Sequence, residues 1–389
     1  MKYAISPQIR AVHFPPISEV REWAASYFAT PEQPLVDLCQ AVPDYPPAPE
    51  LVSYLRRVVD DPLTARYSPD EGLPEVREAL SARYARRYGG AVPPGAFCLT
   101  VGASQAFWLA MVTLCVAGDE VVVPLPAYFD HPMALEVLGI RPVYLPYDEV
   151  TGGLPSVSDL ESLLTPRTRA ILLVTPSNPT GVVAPPELIR DLLELARRRG
   201  VALVLDETYA DFIPGRPHDL FMDRGWGDNF IQIISFGKTY SLTGYRAGAL
   251  VGSEEFIHQA LKAQDSMAVC QPRITQQAVR YGAEHLEPWV EANRGSMALR
   301  HDRFREEFLA AGNRFRLVTS GAFFAWVRHP FSGVSGREVA RRLAQESGLL
   351  CLPGEVFGPG LTHYLRLAFG NIRQEFIPEA VERFRKFPV

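Results

Sequence analysis

Short apolar runs alternate along the middle of the chain with segments whose apolar residues have a helical spacing. The apolar runs have the length and composition of buried strands and lie at 97–101, 120–123, 170–174, 201–205, 230–234 and 249–251. The clearest helix is predicted at 188–199, where leucines recur on one face and Gly200 follows as a stop signal. This alternation predicts an α/β fold with a mostly parallel sheet covered by helices on both faces.

The pattern changes toward both ends of the chain. Residues 1–48 are punctuated by prolines and weakly periodic, which predicts an extended arm. The elements predicted after residue 285 are a helix at 287–309, a strand at 316–327 interrupted at Gly321, a helix at 336–346 and a strand at 363–369. We therefore expect a large domain over 49–284 and a smaller α+β domain over 285–389, with the arm forming part of the smaller domain.

Composition narrows the class of protein. A chain of 389 residues with 47% hydrophobic and 21% charged residues is typical of globular proteins. The net charge of -5 offers no broad basic surface, so neither nucleic acid nor a membrane is an expected partner. No secretion signal is recognisable at the N-terminus, and the cysteines lack the spacing of a disulfide framework or a metal site, which predicts a cytoplasmic protein without a metal.

The stretch I-I-S-F-G-K-T-Y-S-L-T-G-Y-R-A-G contains the most informative chemistry. It places Ser235, Lys238 and Arg246 just beyond the predicted strand at 230–234. A hydroxyl and a guanidinium together can bind a phosphate. A lysine in a partly dry site can lose its proton and form a Schiff base with an aldehyde such as that of pyridoxal phosphate. A solvated loop is the alternative interpretation.

Other strand ends carry compatible groups, each of which also has an ordinary structural explanation. Gly102 begins a helix whose free amides, at Ala103 and Ser104, form an anion site if a phosphate lies there. Tyr128 follows the next strand and can either stack on a heteroaromatic ring or pack in the core. Asn178, in N-P-T-G, is a polar side chain or simply part of a turn.

Two charged residues are harder to explain by structure alone. Asp206 leaves a buried strand, with Tyr209 three residues later, and needs a cationic partner such as a protonated pyridine nitrogen or a salt-bridging side chain. Arg366 lies inside an apolar strand and needs an anion, which a substrate carboxylate or a buried acid can provide.

Taken in order, these motifs resemble those of the class I and II aminotransferases, the fold type I enzymes that depend on pyridoxal phosphate. The resemblance covers nearly the whole chain and is carried by the motifs R-Y-S-P-D-E-G, V-G-A-S-Q-A, P-A-Y, N-P-T-G, D-E-T-Y, S-F-G-K and L-R-L-A-F. It implies an aminotransferase that moves the amino group of an L-amino acid to a 2-oxo acid. Apolar residues at Ile17, Phe107 and Phe357 favour an aromatic or apolar amino acid.

The resemblance also implies roles for individual residues. Lys238 would form the Schiff base, with Asp206 and Tyr209 as the other catalytic residues. The cofactor would be bound by Gly102, Ala103, Ser104, Tyr128, Asn178, Asp206, Tyr209, Ser235, Lys238 and Arg246, and by Tyr67 from the other subunit of a homodimer. Arg366 and Asn178 would bind the substrate carboxylate beside Ala41, where the family usually has glycine.

Three questions stay open at the level of sequence. A carbon-sulfur β-lyase of the same fold would use the same residues. A non-catalytic regulatory protein on this fold is a more distant alternative, because the residues before the shared region lack a helix-turn-helix pattern. Arg273 is either a surface or interface charge or a second arginine for a distal substrate carboxylate.

Overall fold

The computed structural model describes residues 3–310 and 312–388. The helices are α1 (Pro7–Ala11), α2 (Pro16–Trp23), α3 (Pro49–Asp60), α4 (Pro74–Tyr88), α5 (Gly102–Leu114), α6 (Asp130–Val137), α7 (Val157–Leu163), α8 (Pro186–Arg199), α9 (Phe236–Thr239), α10 (Glu254–Ala268), α11 (Arg273–His285), α12 (Glu287–Leu309), α13 (Gly336–Ser347) and α14 (Ile377–Lys386). The strands are β1 (Val36–Asp37), β2 (Phe97–Val101), β3 (Glu120–Pro124), β4 (Arg141–Leu145), β5 (Thr168–Val174), β6 (Ala202–Asp206), β7 (Phe230–Ile234), β8 (Ala247–Val251), β9 (Arg316–Gly321), β10 (Phe324–Arg328), β11 (Leu349–Leu350), β12 (Leu352–Pro353) and β13 (Tyr364–Ala368).

A seven-stranded sheet forms the centre of the molecule, in the order β2, β8, β7, β6, β5, β3, β4. Only β8 runs antiparallel to its neighbours, so the predicted mostly parallel sheet is confirmed. Each apolar run predicted as a strand is one. The edge strand β4 was not predicted, because Arg141 and Pro142 open it and its residues are only partly buried. Proline is tolerated there, since an edge strand needs fewer hydrogen bonds.

Helices cover both faces of this sheet, as predicted. Along β6, Leu203 and Leu205 pack in the cluster that includes residues of α4, α8 and α11. The alternate residues Ala202 and Val204 pack in the opposite cluster with α5, α6 and α10. Burial on both faces explains why these strands read as continuous apolar runs rather than as alternating patterns.

A smaller antiparallel sheet, in the order β12, β13, β10, β9, lies in the C-terminal part. The predicted single strand at 316–327 is wrong in detail: Gly321 ends β9, the chain turns at Ala322 with φ 48°, and β10 returns antiparallel. The arm is also less extended than predicted, because it forms α1 and α2. Its strand β1 pairs in parallel with β11, so the arm contacts the C-terminal part as expected. The domain boundaries at 48/49 and 284/285 stay predictions.

Two glycines set the contact between the large sheet and the small one. Gly181, in the N-P-T-G turn, has φ +74°, and a side chain on it would overlap the backbone of Gly321 in the small sheet. A side chain on Gly321 would in turn overlap Gly181. The Thr319 hydroxyl donates to the Thr180 carbonyl at 2.9 Å beside this contact. Because the two backbones touch, β13 lies close to the carboxyl ends of the large sheet.

Within the described part of the chain, no helix is long and apolar enough to cross a membrane. Among the same residues, no group of three His, Cys, Asp or Glu side chains is arranged to bind a metal ion.

Candidate active site

The strand-end residues singled out in the sequence converge on one cavity of about 430 Å³. It lies at the carboxyl ends of β5, β6 and β7, as expected for ligand sites in α/β sheets. The predicted site residues that line it are Ala41, Ala103, Ser104, Tyr128, Asn178, Asp206, Tyr209, Ser235, Lys238, Arg246 and Arg366. Residues from the arm, the large sheet and the small sheet therefore share one space.

Lys238 enters this cavity from the short helix α9, which follows β7. Its Nζ donates to the carbonyl of Ala41 at 2.7 Å. Burial, together with the nearby charges of Arg246 and Arg366, lowers the pKa of Lys238 to about 8. A substantial fraction of this amine is therefore unprotonated at mildly alkaline pH, which is the state that attacks a carbonyl carbon or accepts a proton.

A buried ion pair between Asp211 and Arg83 stabilises the position of α9. The Thr239 hydroxyl donates to Asp211 Oδ2 at 2.7 Å, and Arg83 Nη2 lies 2.7 Å from Asp211 Oδ1. Burial alone would raise the pKa of Asp211, but Arg83, Arg87 and the Thr239 hydroxyl hold it below its ordinary value. The residue after Lys238 is thus tied to α4. Sequence reasoning missed this pair, although an arginine on the apolar face of a helix is the signal that reveals it.

Asp206 ends β6 and is 5% exposed. Its Oδ1 accepts the Thr208 amide N–H at 2.9 Å, and its Oδ2 lies 3.1 Å from His131 Nε2. Among the described residues it has no lysine or arginine partner, so the side chain available for the salt bridge considered for it is the His131 imidazole. Sequence reasoning also missed His131, which lies three residues after Tyr128 in the first turn of α6. The Asp206 carboxylate thus faces the cavity, and its contact with His131 holds it in place.

Asn178 connects Tyr209 to the arginine of the small sheet. Its Nδ2 donates to the Tyr209 hydroxyl at 3.3 Å, and its Oδ1 accepts from Arg366 Nη1 at 3.1 Å. Burial raises the pKa of Tyr209 above its ordinary value. The phenol therefore stays protonated and able to donate a hydrogen bond into the cavity.

Arg366 is 1% exposed and has no carboxylate partner among the described residues. Its Nη2 donates to the Cys39 carbonyl, its Nε has no partner there, and its guanidinium lies 5.7 and 5.6 Å from the ring centres of Phe324 and Phe357. Burial lowers the pKa of Arg366. The competing explanation, a buried acid in the core, is not realised in the described structure. A buried guanidinium of this kind needs an external anion.

The opposite end of the cavity has the features of a phosphate site. Gly102 begins α5 with φ +77°, and a side chain on it would overlap the guanidinium of Arg246. The missing side chain lets Arg246 lie beside the free amides of Ala103 and Ser104. Among the described residues, Arg246 Nη1 donates to the Thr243 carbonyl, at 3.0 Å, and the buried Ser235 hydroxyl lines the same space. Helix amides, a hydroxyl and a guanidinium together favour a dianion.

The remaining cavity walls are mostly apolar. Ile17 and Phe107 line them as expected, with Trp108, Met133 and Val137. Phe357 does not line the cavity but lies over Arg366. Tyr128 does line it, and its hydroxyl donates to Asp130 Oδ2 at 2.7 Å. Asp130 is a further cavity residue that sequence reasoning missed.

Tyr67 and Arg273 lie outside the cavity of their own chain. Tyr67 is 77% exposed. Arg273 is half-buried, and its Nε and Nη2 donate to the Tyr67 carbonyl at 3.3 and 3.1 Å. Neither side chain reaches the cavity from within the same chain.

Comparison with known proteins identifies the family. The model of the family "Aminotransferase class I and II" matches residues 33–384. The chain belongs to this family. Within it, the chain is 30% identical to the aromatic aminotransferase ISS1 of Arabidopsis thaliana (90% of this chain, 89% of the relative) and 27% identical to an aspartate aminotransferase of Sulfolobus acidocaldarius (89% and 88%).

Solved structures of the family have the same fold. A double mutant of the aspartate aminotransferase of Thermus thermophilus superimposes with a TM-score of 0.89 at 27% identity, over 99% of both chains. The same enzyme with maleate gives a TM-score of 0.89 at 26% identity, again over 99% of both chains. This aminotransferase family member therefore has the expected fold along its whole length.

We predict that the Lys238 amine of the protein without added cofactor loses its proton with a midpoint near pH 8. Competitive labelling with trace acetic anhydride across a pH series, followed by peptide mapping, measures this midpoint. Lys262 and Lys386 are exposed, lie outside the cavity and serve as internal controls. Equal midpoints for all three lysines would contradict the electrostatic account of the cavity.

Proposed function

We propose that this protein is a pyridoxal phosphate-dependent aminotransferase that moves the amino group of an aromatic or medium apolar L-amino acid to a 2-oxo acid. The observation that carries the proposal is the content of one cavity. A buried amine of lowered pKa lies there between an anion-binding helix end and a buried arginine that has no acidic partner among the described residues. Membership in the aminotransferase family supports the same reaction.

The residues present fit the cofactor. Ser235, Arg246 and the first amides of α5 would hold its phosphate, since Gly102 leaves room for the guanidinium. Asp206 would face the protonated ring nitrogen, a cation that no lysine or arginine of the described chain provides for this carboxylate. Tyr128 would stack on the ring. Asn178 and Tyr209 would form hydrogen bonds with the ring hydroxyl oxygen. When bound, pyridoxal phosphate supplies an aldehyde and a ring that withdraws electrons from the substrate α-carbon.

Arg366 and Asn178 would orient the substrate. The guanidinium of Arg366 can form a bidentate pair with the α-carboxylate, and its free Nε is a donor available for that purpose. Asn178 keeps the guanidinium in place through its 3.1 Å hydrogen bond. A substrate carboxylate at this position would form the ion pair with Arg366 for which the described chain offers no acidic side chain. A fixed carboxylate restricts where the α-carbon and its hydrogen can lie.

Lys238 would then move the proton. With a pKa of about 8 it is a base of suitable strength near neutral pH. Its Nζ would take the proton from the substrate α-carbon and hold it for the transfer that completes the half-reaction. Thr239 and Asp211 hold the helix that carries it. The Thr208 amide and His131 contact the two oxygens of Asp206 and would orient this carboxylate toward the ring nitrogen.

The apolar walls support an aromatic or apolar side chain. Phe107, Trp108, Met133 and Val137 offer hydrocarbon surface, and burying such surface stabilises a bound side chain by about 25 cal/mol per Å². Two relatives are named for aromatic substrates: the Arabidopsis enzyme above and the aromatic-amino-acid aminotransferase 2 of Thermococcus litoralis, which is 26% identical. Others are named aspartate aminotransferases.

A single-turnover experiment tests the reaction type. The protein loaded with pyridoxal phosphate is incubated with one amino acid and no 2-oxo acid, using phenylalanine, tyrosine, leucine and aspartate in turn. We expect one equivalent of 2-oxo acid per site from the aromatic and apolar amino acids, with pyridoxamine phosphate retained and no ammonia released. The carbon-sulfur β-lyase would instead release pyruvate and ammonia over many turnovers from a substrate with a β-leaving group. That result, without any pyridoxamine phosphate, would refute the proposal.

We further propose that the active protein is a homodimer in which Tyr67 of the partner subunit completes the phosphate site. The support is that Tyr67 is largely exposed and its side chain lies outside the cavity of its own chain. Arg273 is hydrogen-bonded to the Tyr67 carbonyl and would stabilise that segment at the interface. Its role as a surface or interface charge is thus favoured over binding a distal carboxylate.

Hybrid dimers test this arrangement. Tyr67→Ala and Lys238→Ala should each lower activity strongly, because one weakens phosphate binding and the other removes the reactive amine. After subunit exchange, a mixed dimer contains one site with both residues intact, so mixing the variants should restore up to about half of the wild-type activity per mixed dimer. The control mixes Tyr67→Ala with the double variant that carries both Tyr67→Ala and Lys238→Ala. This mixture should restore no activity, because none of its sites has both residues. Absence of recovery after verified exchange would count against a shared site.

A further inference from the structure

One charged side chain in the cavity has no part in the proposed function. The charged residues that line it are Asp130, Asp206, Lys238, Arg246 and Arg366. Four of them have a role in the proposed function. Arg366 binds the substrate carboxylate and Lys238 moves the proton. Arg246 binds the phosphate and Asp206 faces the ring nitrogen. Asp130 is the exception. A carboxylate in a binding cavity changes which ligands can enter, so its position has a functional consequence.

Asp130 is a half-buried residue at the start of α6. Its Oδ2 accepts a hydrogen bond from the Tyr128 hydroxyl at 2.7 Å, and it forms no ion pair with any lysine, arginine or histidine of the described chain. The amino end of α6 favours negative charge at this position. Its charge is therefore not neutralised by a neighbouring side chain, and part of it faces the cavity.

The position of Asp130 relates it to the substrate side chain. Helix α6 lines the cavity with Asp130, Met133, Ala134 and Val137, which share one face at spacings of three, four and seven residues. The carboxylate is thus the polar end of an otherwise apolar wall, and that wall is where the proposed function accommodates the side chain. The three cations that line the cavity are already assigned, so none of them is left to neutralise a second substrate carboxylate.

Tyr128 strengthens this effect. Its hydroxyl proton is used in the bond to Asp130, and burial raises the pKa of Tyr128 so that the phenol stays neutral. The phenol oxygen can then offer only lone pairs to a ligand. Both polar groups at this edge are consequently hydrogen-bond acceptors. A carboxylate, which is also only an acceptor, finds repulsion there and no donor.

We propose that Asp130 determines substrate choice by excluding amino acids and 2-oxo acids that carry a second carboxylate. This inference rests on the proposed function, and it extends it to the acceptor. Because the amino acid and the 2-oxo acid occupy the same cavity in turn, one carboxylate filters both half-reactions. The acceptor is then a 2-oxo acid with a neutral side chain, and 2-oxoglutarate and oxaloacetate are poor acceptors.

Single-turnover rates of both half-reactions test this inference. The protein loaded with pyridoxal phosphate is mixed with glutamate or phenylalanine, and the protein loaded with pyridoxamine phosphate with 2-oxoglutarate or phenylpyruvate. The measured quantity is the ratio of the apparent second-order rate constant for the dicarboxylic substrate to that for the aromatic one. In the wild type both ratios should be well below one. Asp130→Asn, which keeps the shape of the side chain and removes its charge, should raise both about ten-fold or more.

Matched variants separate charge from other effects. Glu136→Gln removes an exposed carboxylate from the same helix and should leave the ratios low. Asp130→Ser is a second way to remove the charge and should raise the ratios as Asp130→Asn does. Unchanged ratios in both Asp130 variants would overturn the inference, as would a wild type that uses glutamate as readily as phenylalanine. If the wild type forms a 2-oxo acid from no amino acid at all, the proposed function itself fails.

Discussion

The electrostatic environment of Lys238 is the constraint on which the site depends. Burial and neighbouring positive charge each disfavour the ammonium form of a lysine and so lower the pKa of its amine. Here the amine lies in a largely enclosed cavity with Arg246 and Arg366, and its pKa falls to about 8. Three cations in one cavity repel each other, so the arrangement is suited to ligands that bring negative charge. A phosphate at one end and a carboxylate at the other would satisfy both arginines.

The fold brings these groups together through a few close backbone contacts. Parallel strands deliver Asp206, Ser235 and Lys238 to the same edge of the large sheet. The contact between Gly181 and Gly321 then brings the small sheet close enough for Arg366 to reach Asn178. The residues that bind and those that react therefore come from separate sheets. Small changes in the packing of the two sheets would alter the distance between carboxylate and amine, and with it the reaction.

Much of this was predictable because it depends on local pattern. Strands buried on both faces are continuous apolar runs, so their ends, and the polar residues that follow them, could be found from sequence alone. Strand β4 could not, because an edge strand is only partly buried. The hairpin of β9 and β10 was predicted as one interrupted strand, since Gly321 is compatible with a bulge as well as with a turn. The resemblance to a family, more than any single motif, pointed to the roles of the residues.

The residues that sequence reasoning missed all act through tertiary contacts. The role of His131 depends on its contact with Asp206. The role of Asp211 depends on its contacts with Arg83 and Thr239. Asp130 was overlooked because a charged residue at the start of a helix is ordinary. Only its position in the cavity gives it a possible role in substrate choice. The two residues of such a contact can lie far apart in the sequence, or the contact can depend on which face of a helix a residue occupies. Neither property can be read from the order of apolar and polar residues.

The central claim is that Lys238 is the residue that binds the cofactor covalently. Borohydride reduction of the protein loaded with pyridoxal phosphate, followed by proteolysis and mass spectrometry, tests it most directly. The account predicts that the cofactor stays attached to the peptide containing Lys238 and to no peptide containing Lys262 or Lys386. It also predicts that Lys238→Ala carries no such label while keeping its fold. Attachment to a different lysine in the wild type would contradict the account.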